Sequence, residues 1–130
     1  MYNEDAVEIF IATEDSYPVN YFELEVSPKG QLFIADITNP SGNCSKFGPT
    51  YYGCDSATFS GKKTQIGWDA KLSIGLSVIG RGVAVKTFKI NLFRLDYTTN
   101  QPTRYLSWKP TFTSPPCFHQ PKYFETIRLV

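Results

Sequence analysis

Apolar and polar residues alternate over much of the chain, which is the pattern of β-strands that bury one face. Residues 6–12 alternate and are rich in Val, Ile and Phe, and residues 20–26 alternate strictly between apolar side chains and glutamates or other polar groups. Residues 28–30 (Pro-Lys-Gly) have the composition of a turn, and residues 31–36 are predicted as the returning strand of a hairpin. The pattern therefore predicts a first strand followed by a β-hairpin.

The rest of the chain continues in the same way. No segment combines apolar residues at three-and-four spacing with helix-capping residues, so no helix is predicted. Two loops are predicted, over residues 37–62 and over residues 109–122. The second loop holds four of the nine prolines. The sequence predicts an all-β fold, an antiparallel β-sandwich of two sheets, as a single domain over residues 1–130. The later strands are predicted at residues 67–78, 83–95, 105–108 and 124–129.

Composition narrows the class of partner. The net charge is +1 and no run of basic residues is longer than Lys62-Lys63, so neither nucleic acid nor an anionic membrane is expected as a partner. No window holds the roughly 18 apolar residues of a membrane span, and the N-terminus is acidic rather than a basic-then-apolar signal peptide. Aromatic residues make up 15% of the chain, enough for a core and also for an exposed stacking surface.

The cysteines give a hint of location. Cys44 and Cys54 flank a loop rich in Gly, Ser, Pro and Tyr and are close enough in sequence to pair. Cys117 would then be free or joined to a residue outside the chain. Residues 43–45 (Asn-Cys-Ser) form an acceptor site for N-glycosylation. Together these features favour an extracellular or secreted protein over a cytosolic one with three free thiols.

Candidate catalytic and metal motifs are few. His119 is the single histidine and the cysteines lack Cys-x-x-Cys spacing, so no multi-His or Cys-rich metal site is expected. Haem ligation by Met and His is also not expected, because the only methionine is Met1. No nucleophile-elbow motif accompanies His119, which leaves loop orientation or ligand contact as its role. No cofactor and no metal are predicted.

Carboxylates on the first two strands leave three alternatives open. Glu23 and Glu25 lie on one face of a strand, with Cβ atoms roughly 7 Å apart. With Glu8 on the neighbouring strand, this spacing suits a glycosidase, which needs two carboxyl groups. It also suits hydrogen bonding to sugar hydroxyls, and it suits solvated faces of half-exposed strands.

Several segments together resemble a known family. Residues 5–11 (Asp-Ala-Val-Glu-Ile-Phe-Ile) resemble the acidic-x-Val-Glu-x-Phe-Ile strand of the family 9 carbohydrate-binding modules. Residues 21–30, 68–74, 88–94 and 106–108 are similar, in order and spacing, to that family's aromatic strand and turn, Trp-led strand, amide-bearing strand and Ser-Trp corner. The resemblance implies a β-sandwich that holds oligosaccharides or polysaccharides between aromatic side chains, without catalysis.

The resemblance also implies site residues. In the family, two Trp side chains sandwich a terminal sugar, and the matching positions here are Tyr2 and Phe118. Glu8 and Asn91 match positions that hydrogen-bond sugar hydroxyls, and Arg94 matches a common Arg, either a sugar contact or part of an ion pair. The expected ligand-binding residues, with the neighbouring histidine included, are therefore Tyr2, Glu8, Asn91, Arg94, Phe118 and His119.

Two departures from the family pattern shape the remaining expectations. The usual Phe-Gly before the last strand is Phe124-Glu125 here, and the strands that normally precede the Val-Glu-x-Phe strand are absent from this sequence. We therefore expect further strands or a partner to cover an open sheet edge. The alternative functions are a structural or protein-interaction domain of the same fold, or a glycoside-cleaving enzyme that uses Glu8 with Glu23 or Glu25.

Overall fold

A computed structural model describes residues 4–14, 17 and 19–130. Within these residues the chain forms nine strands, one short helix and two single-turn 3₁₀ helices at Cys54–Ser56 and Pro121–Tyr123. The helix α1 spans Leu76–Ile79. The strands are β1 (Ala6–Thr13), β2 (Asn20–Val26), β3 (Leu32–Thr38), β4 (Gly48–Tyr51), β5 (Ala57–Lys63), β6 (Trp68–Ile74), β7 (Thr87–Asp96), β8 (Arg104–Ser107) and β9 (Glu125–Arg128).

Seven of these strands form one antiparallel sheet, six of them in the order β4-β3-β2-β1-β7-β8 and the seventh, β9, paired with β7. The ten-residue strand β7 is long enough to pair with two short strands on its outer side, with β9 along Thr87–Ile90 and with β8 along Phe93–Asp96. Strands β5 and β6 form a separate two-stranded sheet. The predicted all-β sandwich is confirmed.

Both faces of the large sheet are buried. One face packs against β5, β6 and α1 through a cluster that includes Phe22, Leu24 and Phe88. The other face carries a second cluster that includes Phe10, Tyr21 and Phe93, and the segment around Phe118 and Phe124 packs against it. Because β2 alternates between these two clusters, its polar face is covered as well as its apolar face.

The hairpin of β2 and β3 forms as the sequence predicts. Val26 pairs with Leu32, and the turn between them closes with Gly30 at a φ of 71°, a conformation that glycine adopts without steric cost. The amide of Gly30 donates to the carbonyl of Ser27 over 2.9 Å.

Two predictions about local structure are wrong. The segment 37–62, expected to be a loop, contains β4 and most of β5, and residues 76–78, expected to end a strand, lie in α1. β4 is exposed throughout, and β5 (Ala-Thr-Phe-Ser-Gly-Lys-Lys) has only two apolar side chains, Ala57 and Phe59, so neither strand has a sustained apolar period. No helix of the described residues is long and apolar enough to cross a bilayer.

The backbone of β5 lies close to the β2–β3 turn at Gly61. A Cβ atom at this position would lie 2.2 Å from the carbonyl oxygen of Ser27 and 2.7 Å from the amide nitrogen of Gly30, both backbone atoms. We expect Gly61→Ala to lower the free energy of unfolding by about 1–3 kcal/mol, measured by denaturant unfolding. Gly48→Ala in β4 is the control, since nothing lies within 4 Å of its Cβ position. Equal midpoints for the two variants would contradict this close approach.

Candidate functional site

A pocket of about 370 Å³ lies on the face of the large sheet that is turned away from β5 and β6. Alternate residues of β1, β2 and β3 form its floor, because successive side chains of a strand point to opposite faces. Tyr51 of β4 and Tyr105 of β8 stand on its two sides, and residues 116–119 form its remaining wall. We call this the carboxylate pocket, after Glu8, Glu23 and Glu25 on its floor.

The three carboxylates are brought together by strand register. Glu8 of β1 lies directly opposite Glu25 of β2, and Glu23 lies two residues along on the same face. Each offers an oxygen that lies within 4.8 Å of the others. Glu8 is 5% exposed and Glu23 is 9% exposed, so the alternative of a solvated strand face is wrong for these two.

Burial changes the protonation of this cluster. It raises the pKa of Glu8 to about 8, and repulsion from Glu25 adds to the effect. Burial also raises the pKa of Glu23, with further contributions from Glu25 and Glu8, and it raises the pKa of Glu25. The pocket floor therefore carries fewer than three negative charges at neutral pH, and at least one carboxyl group can donate as well as accept a hydrogen bond.

His119 is positioned by a buried chain of hydrogen bonds. The side-chain amide of Asn39 donates to the Tyr21 hydroxyl over 3.1 Å, and that hydroxyl lies 2.7 Å from Nδ1 of His119. The tautomer with its proton on Nε2 satisfies this chain. Nε2 then faces Glu23, at 3.9 Å from a carboxylate oxygen. Burial lowers the pKa of His119 to about 4, so the imidazole is neutral and this contact is not an ion pair at neutral pH.

A disulfide fixes the wall of the pocket. Cys44, in the β3–β4 connection, is joined to Cys117, 73 residues away, in the segment that follows β8. The expected pairing of Cys44 with Cys54 is therefore wrong. Proximity in sequence does not determine the pairing here, because the fold brings the loops that carry Cys44 and Cys117 together over the same face of the sheet.

Aromatic rings surround the carboxylates. Phe118 stacks on Phe93 with ring centroids 4.1 Å apart, and Tyr105 meets Phe118 edge to face at 5.9 Å. Tyr51, across the pocket, is 67% exposed, and Tyr105 is 48% exposed. The most accessible rings of the pocket are thus the two tyrosines, while Phe118 has one face already covered.

The sequence profile of carbohydrate-binding family 9 matches residues 1–129. The chain belongs to carbohydrate-binding family 9. Among solved structures, this family 9 domain is similar to the crystal structure of a candidate carbohydrate-binding protein from Bacteroides uniformis, with a TM-score of 0.70 and 19% sequence identity. The match covers 95% of this chain and 60% of that one, and it shows a shared fold. No curated protein sequence gives a significant match.

The family 9 domain brings together three of the six residues expected to bind ligand. Glu8, Phe118 and His119 all line the carboxylate pocket. Arg94 is exposed and lies between Phe93 and Leu95 on β7, so it points to the opposite face of the sheet. Tyr2 lies outside the described residues.

Asn91 has a different environment from the one expected. It is fully buried, and its side-chain amide donates to the carbonyl of Lys109 over 2.9 Å. Its side-chain oxygen accepts from the amides of Lys109 and Leu92, at 3.0 and 2.9 Å. These three bonds occupy the side chain and hold the start of the proline-rich segment on β7.

Other residues of the pocket were missed by sequence reasoning. Tyr51 and Phe47 lie in the segment expected to be a loop, and Phe47 stacks on His119 with centroids 3.7 Å apart. Tyr105 falls in a strand too short to show a period. The high content of aromatic residues was the one sequence signal for this aromatic rim, and it does not identify which rings come into contact. The floor carboxylates are also the group that could hold a cation.

Proposed function

We propose that this family 9 domain is a non-catalytic module that binds an oligosaccharide or polysaccharide in the carboxylate pocket. The observation that supports this most is the combination of a buried polar floor with an aromatic rim in one concave site. A sugar unit has apolar CH faces that stack on rings and hydroxyls that need partners. Sites for small ligands generally combine apolar walls with a few convergent polar groups in this way.

In the proposed complex each part of the pocket has a separate task. Tyr51 and Tyr105 supply ring faces, and Phe118 supports Tyr105 from within. Glu8 and Glu23 accept hydrogen bonds from hydroxyls, and these bonds are stronger than neutral ones when the carboxylate is charged. His119 donates from Nε2. Asn91 does not contact the sugar in this complex; its hydrogen bonds to the backbone of Lys109 hold the start of the proline-rich segment on β7.

The protonation of the pocket carboxylates argues against hydrolysis. A retaining glycosidase needs one ionised carboxylate as nucleophile beside one protonated acid. Here burial raises the pKa of Glu8, Glu23 and Glu25 alike, so none of the three is kept ionised by its surroundings as a nucleophile needs to be. Release of product from a chromogenic glycoside would overturn the non-catalytic assignment.

The location that we propose is extracellular. A disulfide such as Cys44–Cys117 persists in oxidising compartments and is rare in the cytosol. The exposed side chain of Asn43, in its glycosylation motif, agrees with this location.

The proposal predicts saturable binding of soluble sugars at the carboxylate pocket. Titration with cello- and xylo-oligosaccharides, followed by amide NMR shifts, should perturb residues 105 and 117–119. Tyr51→Ala and Tyr105→Ala should each weaken binding by roughly fivefold to tenfold, because each removes an exposed stacking face. Tyr97→Ala is the matched control, an exposed tyrosine that does not line the pocket.

Two outcomes would count against the proposal. Equal affinity of all three tyrosine variants would show that sugars bind elsewhere. A dispersed spectrum that ignores every sugar would favour the interaction-domain alternative.

A further inference from the structure

We propose that Phe112 and Tyr123 form a second sugar-stacking subsite, which holds the units of a sugar chain that extend beyond the carboxylate pocket. This inference rests on the proposed function, because it concerns further units of the same ligand. It comes from the exposure and backbone conformation of Phe112, from its contact with Tyr123, and from the connection between these residues and the pocket wall. We call the two residues the outer ring pair.

Phe112 presents an aromatic ring to solvent. It is 79% exposed, more than Tyr51 or Tyr105 on the rim of the pocket, and it does not line the pocket itself. A ring in this position adds little to the stability of the fold, because an apolar side chain stabilises a protein through the area that it buries. It does keep a face on which the CH groups of a sugar can stack.

The backbone at Phe112 is also unfavourable for a phenylalanine. Its φ is 54°, in the left-handed region that a bulky residue rarely adopts. Such a conformation is destabilising, and it persists where the surrounding structure holds it, often at a binding site. Glycine would take the same conformation without steric cost. Stability therefore accounts neither for the exposed ring nor for the residue type at this position.

Neighbouring side chains support the ring and add polar groups. The rings of Phe112 and Tyr123 meet edge to face, with centroids 5.4 Å apart and an interplanar angle of 65°. The exposed Lys122 places its Nζ 5.0 Å from the centroid of the Tyr123 ring. Its ammonium group has three N–H donors, and the Tyr123 hydroxyl can donate or accept. Ring faces beside hydrogen-bonding groups are what a sugar unit requires.

A short and rigid connection joins the outer ring pair to the carboxylate pocket. The hydroxyl of Thr113, the residue after Phe112, accepts from the amide of Cys117 over 2.8 Å and donates to its carbonyl over 3.3 Å. Cys117 lines the pocket, and its disulfide to Cys44 holds it there. These bonds order the segment before a ligand arrives, which reduces the entropic cost of binding. A sugar chain that leaves the pocket over Cys117 would come next to Phe112.

A continuing sugar chain fits the outer ring pair better than a protein partner does. A stable protein interface buries about 800 Å² on each side, and its core is depleted of charged residues. The outer ring pair consists of two side chains, with the charged Lys122 directly against one of them. Stacking of one or two sugar units needs no larger surface than this.

The test is a titration with cello- and xylo-oligosaccharides of two to six units, by calorimetry and amide NMR. For the wild type we expect the affinity to rise at least about fivefold from the dimer to the hexamer, because only the longer chain reaches the outer ring pair. Amide shifts at residues 112 and 123 should appear with the hexamer and not with the dimer. Phe112→Ala should reduce the affinity for the hexamer to that for the dimer.

Three further variants separate stacking from packing. Phe112→Leu keeps the apolar bulk and removes the ring, so it should lose the gain with chain length, whereas Phe112→Trp should retain it. Tyr97→Ala, which changes an exposed tyrosine outside the pocket, should also retain it. A gain that is lost in Phe112→Ala but kept in Phe112→Leu would assign the ring a packing role and overturn the stacking subsite.

The remaining outcomes distinguish this inference from the proposed function. A wild type that binds dimer and hexamer equally, with binding still weakened by Tyr105→Ala, overturns the second subsite and leaves the proposed function standing. A gain that survives in Phe112→Ala places the additional contacts elsewhere and overturns the assignment to Phe112. Absence of binding to every sugar overturns both proposals. In that case, self-association that Phe112→Ala abolishes, measured by analytical ultracentrifugation, would assign the outer ring pair to a protein contact.

Discussion

Removal of the Cys44–Cys117 disulfide is expected to lower the free energy of unfolding by about 2–4 kcal/mol. The cross-link closes a segment with a sequence separation of 73, which greatly restricts the unfolded chain. In the folded state it joins the β3–β4 connection to the wall of the carboxylate pocket, where Cys117 lies beside Phe118 and His119. We therefore expect a loss of sugar affinity as well, because the wall must then be ordered at the moment of binding.

The measurement is denaturant unfolding and sugar titration of a double variant, Cys44→Ser with Cys117→Ser. Cys54→Ser is the control, since it leaves the Cys44–Cys117 disulfide in place. Reducing agent should lower the midpoint of the wild type and of Cys54→Ser but not that of the double variant. A midpoint for the double variant equal to that of the wild type would refute the stabilising role. A lower midpoint with unchanged affinity would show that the wall is positioned by packing alone.

The strand pattern could be predicted wherever one face of a strand is apolar. The hairpin of β2 and β3, with Gly30 in its turn, follows from alternation and turn composition. What alternation cannot show is whether the polar face of a strand is covered too. The alternation correctly places Glu23 on the polar face of β2. Its burial depends on the segments around Cys44 and Cys117, in which apolar and polar residues do not alternate.

The candidate site could be predicted only in part, because its contacts also depend on segments that are distant in sequence. Family resemblance pointed to Glu8 and Phe118, which both line the pocket. It also pointed to Asn91, whose side chain is occupied by backbone groups that come together only in the folded state. Arg94 shows the limit of a match by position, because one step along a strand reverses the face. Tyr51 and Tyr105 lie on strands at opposite sides of the sheet, and no local sequence signal connects them.

Stability between pH 6.5 and 8 is expected to fall as the pH rises. The folded-state pKa of Glu8 is raised above its ordinary value, so the folded protein holds a proton that the unfolded chain has already lost. The unfolding free energy then decreases with pH, by up to about a factor of ten in the folding equilibrium per pH unit. Glu23 and Glu25, whose pKa values are also raised, act in the same direction. His119 acts in the opposite direction, mainly between its lowered pKa of about 4 and its ordinary pKa of 6.5, so it offsets part of the decrease only at the acid end of this range.

Glu8→Gln should reduce this decrease and raise the unfolding midpoint at pH 8, since it removes a buried carboxylate without changing its shape. Urea unfolding at pH 6.5, 7.25 and 8 measures the slope, and Glu125→Gln should keep the wild-type slope because its pKa is lowered by Lys109. A wild-type stability that is flat over this range would mean that the three carboxylates titrate normally. The pocket floor would then be open to water. A slope that Glu8→Gln reduces would instead show that the folded protein keeps Glu8 protonated at a pH where the unfolded chain has lost that proton.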